Sequence, residues 1–186
     1  MEQILKNPWK KIDSTIIYKN KWITLREDKV RTPSGGNGIY SVVEAQPAIG
    51  IVPFYENMDT VLVGQYRYAL NSYSWEIPEG GGANGETNLE TAKRELMEET
   101  GLRASKWTYL DSLFTSNCFT NEVGHVYLAE NLEEGLPDPE HTEDLQTKRL
   151  PFIKAFEMVL NYEIKDALAI IGIMRVYHYL KKQGKI

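Results

Sequence analysis

Residues 77–102 read IPEGGGANGETNLETAKRELMEETGL. Gly80, Gly81, Gly82 and Gly85 make 80–86 a loop whose backbone can come close to another group. Thr87 with Glu90 three residues later forms a capping box that opens a helix, and Gly101 suits its C-terminal cap. Leu89, Ala92 and Leu96 give that helix an apolar stripe, while Glu90–Arg94 and Arg94–Glu98 fall at the spacing of (i, i+4) ion pairs. The same helix crowds Glu95, Glu98 and Glu99 onto neighbouring parts of its surface. Like charges at that spacing destabilise a helix by about 0.2–0.5 kcal/mol per pair.

Three readings fit this acidic cluster. It is a solvated face, as most charge runs are. It is a cation site, because hard divalent ions take oxygen ligands and cancel the repulsion of clustered carboxylates. Or it is a general-base site, in which crowding raises the pKa of one carboxylate.

The whole chain narrows the setting. Its 186 residues suit one core of ordinary size, and 42% hydrophobic with 25% charged residues is the composition of a folded, soluble chain. A net charge of -5 argues against a protein built to hold nucleic acid, though metal ions could still bring a phosphate ligand to an acidic site. The single cysteine, Cys118, excludes an intrachain disulfide and reads as a passive core thiol. The start, MEQILKNPWKKIDS, has charges throughout and no secretory pattern, and no run reaches the ~20 apolar residues of a membrane span. A cytoplasmic protein is expected.

Strand patterns occupy STIIYKNKWITLREDKVRT (with a turn at Lys19–Asn20), IYSVVEA, AIGIVPFY and DTVLVGQYRYAL. Residues 1–45 therefore read as a β-rich N-terminal unit, and 46–186 as the main domain. After the acidic helix, WTYLDSLFTS and EVGHVYLAENL read as strands and NLEEGLPDPEHTEDLQ as a surface loop. Helices are expected near 151–161 and 166–182, the second ending in basic residues that suit its dipole. Strands, helix, strands and helices in that order predict an α/β or α+β sandwich.

From Gly80 to Leu102 the spacing of Gly80, Glu86, Arg94, Glu95, Glu98, Glu99 and Gly101 resembles the full signature of the Nudix hydrolases. The resemblance implies a mixed sheet between helices and hydrolysis of a nucleoside diphosphate linked to another moiety. It implies that Glu95, Glu98 and Glu99 bind Mg²⁺ (or Mn²⁺), with the backbone carbonyl of Glu79 as a further ligand. Glu99 would also serve catalysis, and Glu86 and Arg94 would brace the loop against the helix.

VGQYRYAL and WEIPEGG, together with the N-terminal β unit, resemble the ADP-ribose pyrophosphatase and nucleoside-diphosphate-sugar branch of that family. Within this branch Arg67 and Glu76 are implied to bind substrate, and Trp22 and Tyr40 to stack on the base. Glu122 is implied as the loop base or an additional metal ligand, and the N-terminal unit as an arm exchanged in a homodimer. For Arg67, Trp22, Tyr40 and Glu122, ordinary surface or packing roles are the competing readings. Asn117 stands where many ADP-ribose pyrophosphatases have a proline, which points toward a broader sugar-nucleotide hydrolase. The rivals are a non-catalytic sensor of ADP-ribose and a pyrophosphatase of a coenzyme or dinucleotide. His125, His141 and His178 lack metal-ligand spacing and are assigned no catalytic role.

Overall fold

The computed structural model describes residues 6–83, 85–138 and 144–186. His141 and part of the acidic loop around it lie outside the described residues. The described chain divides into two compact units.

The N-terminal unit is an antiparallel sheet of β1 (Lys10–Lys19), β2 (Ile23–Arg31) and β3 (Asn37–Ala45), in that order. The turn between the first two forms because the side-chain oxygen of Asn20 accepts from the amides of Trp22 and Ile23. Phe114–Glu122 belongs to the same unit. The amide of Val43 donates to the Phe119 carbonyl, and the Asn121 amide donates to the Val43 carbonyl. Burial in this unit is confined to Asp28 and Val30 among its described residues. Asp28 is held by the Ser14 hydroxyl at 2.6 Å and by Arg26. β1 is exposed along its whole length, with Ile12, Ile16, Ile17 and Tyr18 open to solvent. Cys118, expected in a core, is exposed: it lies in the loop beside Ser116, where no apolar packing encloses it.

The main unit is built around β4 (Ala48–Phe54), whose AIGIVPF run is buried on both sides. The strand order is β10 (Gln146–Pro151), β5 (Asp59–Arg67), β4, β9 (Val123–Glu134), β8 (Leu102–Phe114). β4 runs parallel to β9 and antiparallel to β5, so the sheet is mixed. β6 (Ser72–Glu76) pairs with β5, and β7 (Glu79–Gly81) pairs with β4. α1 (Asn88–Thr100) covers one face, where Ala92 and Leu96 meet Ile49, Ile51 and Val61. α2 (Phe152–Leu160) and α3 (Ala167–Lys182) cover the other, where Phe152, Leu168 and Ile173 meet Val52, Leu62 and Val126. This is the expected α/β/α sandwich with a mixed sheet. Among the described residues no helix is long and apolar enough to cross a membrane.

The capping box forms as expected, with Gly101 in the left-handed conformation at the C-cap. The Glu90–Arg94 pair does not: Glu90 is committed to the amide and hydroxyl of Thr87, and Arg94 turns to other carboxylates. Three strands escaped the sequence reading: β6 (Ser72–Glu76), β7 and β10. β7 uses the first glycines of the expected loop, which have no side chains to signal a face. β10 is a mostly exposed edge strand, so QTKRLP shows no alternation.

Candidate active site

β7 brings the glycine-rich segment against β4, and α1 lies on the same face. Gly80 pairs with Ile49 there, and a side chain on Gly80 would occupy the space taken by the Glu95 carboxylate. Only glycine lets that carboxylate rest against the strand. The amide of Glu79 donates to Oε2 of Glu99 at 3.0 Å, tying the other end of the cluster to β7. Glu95 and Glu99 are buried, at 8% and 3% exposure, which excludes the solvated-face reading.

Arg94 makes the burial of Glu95 tolerable. Its guanidinium donates to Glu86 at 3.1 Å, Glu95 at 2.8 Å, Glu98 at 2.9 Å and the Gly81 carbonyl at 3.1 Å. The hydrogen bonds from Arg94 and from the Thr91 hydroxyl hold the Glu86 carboxyl below its ordinary pKa. One cation thus joins the loop, the helix and two of the three clustered carboxylates. Glu86 and Arg94 link the loop to the helix through these bonds.

A second acidic group lies at the end of the cluster. Glu76, Glu79 and Asp166 place one carboxylate oxygen each within 4.8 Å of one another. Arg67 binds Glu76 through two nitrogens and reaches Glu79 at 2.8 Å. Oε2 of Glu79 is buried with no hydrogen-bond partner among the described residues. Burial, then the Asp166 and Glu76 charges, push the Glu79 carboxyl well above its usual pKa despite Arg67. The sequence reading gave Glu79 only a backbone role and missed Asp166. The available signal was weak: Asp166 is the N-cap of α3, accepting from the Ala169 amide, which is how a cap reads in any helix.

The side chains gathered here offer oxygen atoms: Glu95, Glu98 and Glu99 on α1, and the Glu76–Glu79–Asp166 group beside them, which could hold a metal ion. Among the described residues no histidine or thiol joins them, and an all-oxygen set suits a hard divalent cation rather than zinc. The Glu79 oxygen that lacks a hydrogen-bond partner fits a bound cation.

The remaining expected site residues lie in the N-terminal unit. Glu122 is half-buried, its amide donating to the Thr120 hydroxyl at 3.1 Å. Tyr40 donates its hydroxyl to the Cys118 carbonyl at 2.7 Å and packs edge-on against Trp9, which the sequence reading had not singled out. Trp22 is 66% exposed, with the Lys21 ammonium 4.2 Å from its ring.

Fold and site together define a mixed-sheet sandwich with two buried carboxylates on its first helix, and the chain belongs to the Nudix family: residues 44–166 match the NUDIX domain. Residues 9–43 match the nucleoside diphosphate sugar hydrolase N-terminal domain. The chain is 38% identical over 169 residues to an ADP-ribose pyrophosphatase of Mycobacterium tuberculosis, covering 89% of this chain and 82% of that one. It is 32% identical over 161 residues to an ADP-ribose pyrophosphatase of Bacillus subtilis, covering 87% and 82%. A crystal structure of an ADP compounds hydrolase matches all of both chains with a TM-score of 0.83 at 22% identity, a likeness of fold.

The close approach at Gly80 gives a direct test. Gly80→Ala drives a methyl group into the Glu95 carboxylate and should destabilise the protein by about 1–3 kcal/mol, the usual cost of overpacking. Urea denaturation measures it. Unchanged stability would mean that Glu95 does not need its position over β7.

Proposed function

We propose that this protein is a Mg²⁺-dependent pyrophosphohydrolase that cuts ADP-ribose or a related nucleoside diphosphate sugar into a nucleoside monophosphate and a sugar phosphate. The observation that carries this reading is the burial of Glu95 and Glu99 against β7, with Arg94 holding the loop around them. The match of residues 9–43 to a nucleoside diphosphate sugar hydrolase N-terminal domain supports the substrate class. When bound, Mg²⁺ would neutralise the phosphate oxygens and lower the pKa of a water ligand.

The chain's own residues do the rest. Glu95, Glu98 and Glu99, with the backbone carbonyl of Glu79, hold the cation. Arg94 and Glu86 keep the loop and helix in register. Arg67, already paired with Glu76 and Glu79, offers its remaining hydrogen-bonding capacity to phosphate or the distal sugar. Glu122 accepts the proton of the attacking water. Trp22 and Tyr40 take the base. The fully exposed β1, carrying four large apolar residues on a sheet that buries almost nothing, fits an arm that completes its packing in a homodimer.

Four measurements test this. Purified protein with Mg²⁺ and a panel of nucleoside diphosphate conjugates should release AMP and ribose 5-phosphate from ADP-ribose. Chelation or Glu99→Gln should remove most turnover while circular dichroism stays unchanged. Full activity after chelation would end the metal reading, and binding without cleavage would identify a sensor. Glu122→Gln should lower kcat by about 10²–10⁴-fold with a much smaller change in KM, as for a lost general base. An unchanged kcat would refute that role, and recovery of the rate at high Mg²⁺ would make Glu122 a metal ligand instead. Sedimentation at micromolar concentration should give a dimer, and a fully active monomer would contradict the arm.

A further inference from the structure

An aromatic row runs along the α1 face of the sheet on β8 and β9. Trp107 and Tyr127 meet edge-on with ring centres 6.4 Å apart, and both pack against the core beneath α1. Tyr127 meets Tyr109 at 5.3 Å, and Tyr109 meets His125 at 6.0 Å. The row begins in the core and ends in the open, since Tyr109 is 50% exposed.

Strand register fixes where the open end lies. Gly80 pairs with Ile49, and Ile49 pairs with His125. Directly paired residues share a sheet face. His125 is therefore on the face that carries the Glu95 carboxylate over Gly80, at the same level along the strands. Two strand spacings separate His125 from Gly80, roughly 10 Å. His125 therefore lies two strands from the acidic cluster, on the same face of the sheet.

The chemistry of this end suits a sugar. His125 Nδ1 is 3.2 Å from the Tyr109 hydroxyl, a contact that orients the ring. Its other nitrogen, Nε2, has no partner among the described residues. Burial holds the His125 imidazole below its ordinary pKa, so at neutral pH it is an uncharged hydrogen-bonding group. In either tautomer Nε2 keeps one function for a ligand, as donor or as acceptor. The half-exposed Tyr109 adds an apolar ring face and a hydroxyl. No lysine or arginine belongs to the row, so it offers nothing to bind phosphate itself.

We propose that Tyr109 and His125 form the subsite for the hydroxyls of the substrate's distal sugar and set the preference for sugar conjugates over other diphosphate esters. This rests on the nucleoside-diphosphate-sugar reading above. Both residues are positioning groups and take no part in proton transfer.

The test compares Tyr109→Phe, His125→Leu and His125→Gln in the full-length protein with Mg²⁺. ADP-ribose and a simple alkyl ester of ADP serve as substrates, and melting temperature controls for folding. Calorimetry measures binding of ribose 5-phosphate directly. Tyr109→Phe and His125→Leu should raise KM for ADP-ribose and weaken ribose 5-phosphate binding about tenfold each, the effect of one lost hydrogen bond. kcat should move much less, as should both constants for the alkyl ester. His125→Gln, which keeps a polar group near the Nε2 position, should recover part of the loss. Equal losses on both substrates, or wild-type sugar binding in all variants, would overturn the subsite while leaving sugar-nucleotide hydrolysis intact. A wild-type protein that cleaves no sugar nucleotide at all would remove the parent reading and this proposal together.

Discussion

The site depends on Arg94. Three carboxylates on one helix repel, and burying two of them adds a desolvation penalty of several kcal/mol per ion. Arg94 offsets the repulsion and the burial of Glu95 by pairing with Glu86, Glu95 and Glu98 at once, while the Glu79 amide donates to Glu99. Its fourth contact, to the Gly81 carbonyl, attaches β7 to the same centre. A lysine could not make this set of bonds, because its ammonium lacks the planar fork that reaches several acceptors in fixed directions. The helix, the loop and the first glycines of β7 are therefore one electrostatic unit.

Around that unit the fold supplies rigidity. β4 is clamped between two apolar layers, with Ile49 and Ile51 toward α1 and Val52 and Phe54 toward α2 and α3. Because β7 hangs on β4 through Ala48–Gly50, the backbone that faces the carboxylates is anchored to the most deeply buried strand in the molecule. The same strand carries the register outward to His125 on β9. A shift of one residue between β4 and either neighbour would turn the facing side chains to the wrong side of the sheet.

Arg67 plays a parallel part at the edge. It joins β5 to β6 and β7 by binding Glu76 and Glu79, and Asp166 approaches from the start of α3. One cation faces three carboxylates in this corner, and the raised pKa of Glu79 is the expected response to burial beside like charges. This corner and the Arg94 centre meet at Glu79, whose amide serves Glu99 while its carboxylate serves Arg67.

Much of this was legible in the sequence because it is local. The capping box at Thr87, the C-cap at Gly101 and the spacing of Glu95, Glu98 and Glu99 depend on neighbours a few residues away, so helical geometry alone predicts them. The alternation of strand residues and the length of the closing helices are local in the same sense. What only the tertiary structure decided is which distant segments meet. Sequence spacing carries no information on whether a carboxylate faces water or a strand, so the burial of Glu95 over Gly80 had to come from packing. Asp166 reaches Glu79, and Tyr109 reaches His125, across many residues of chain. Cys118 is exposed, against its usual preference, because its loop is not enclosed. Local patterns set each element, while the pairing of β4 with β7 and β9 set the site, because strand register is fixed by contacts between residues far apart in the chain.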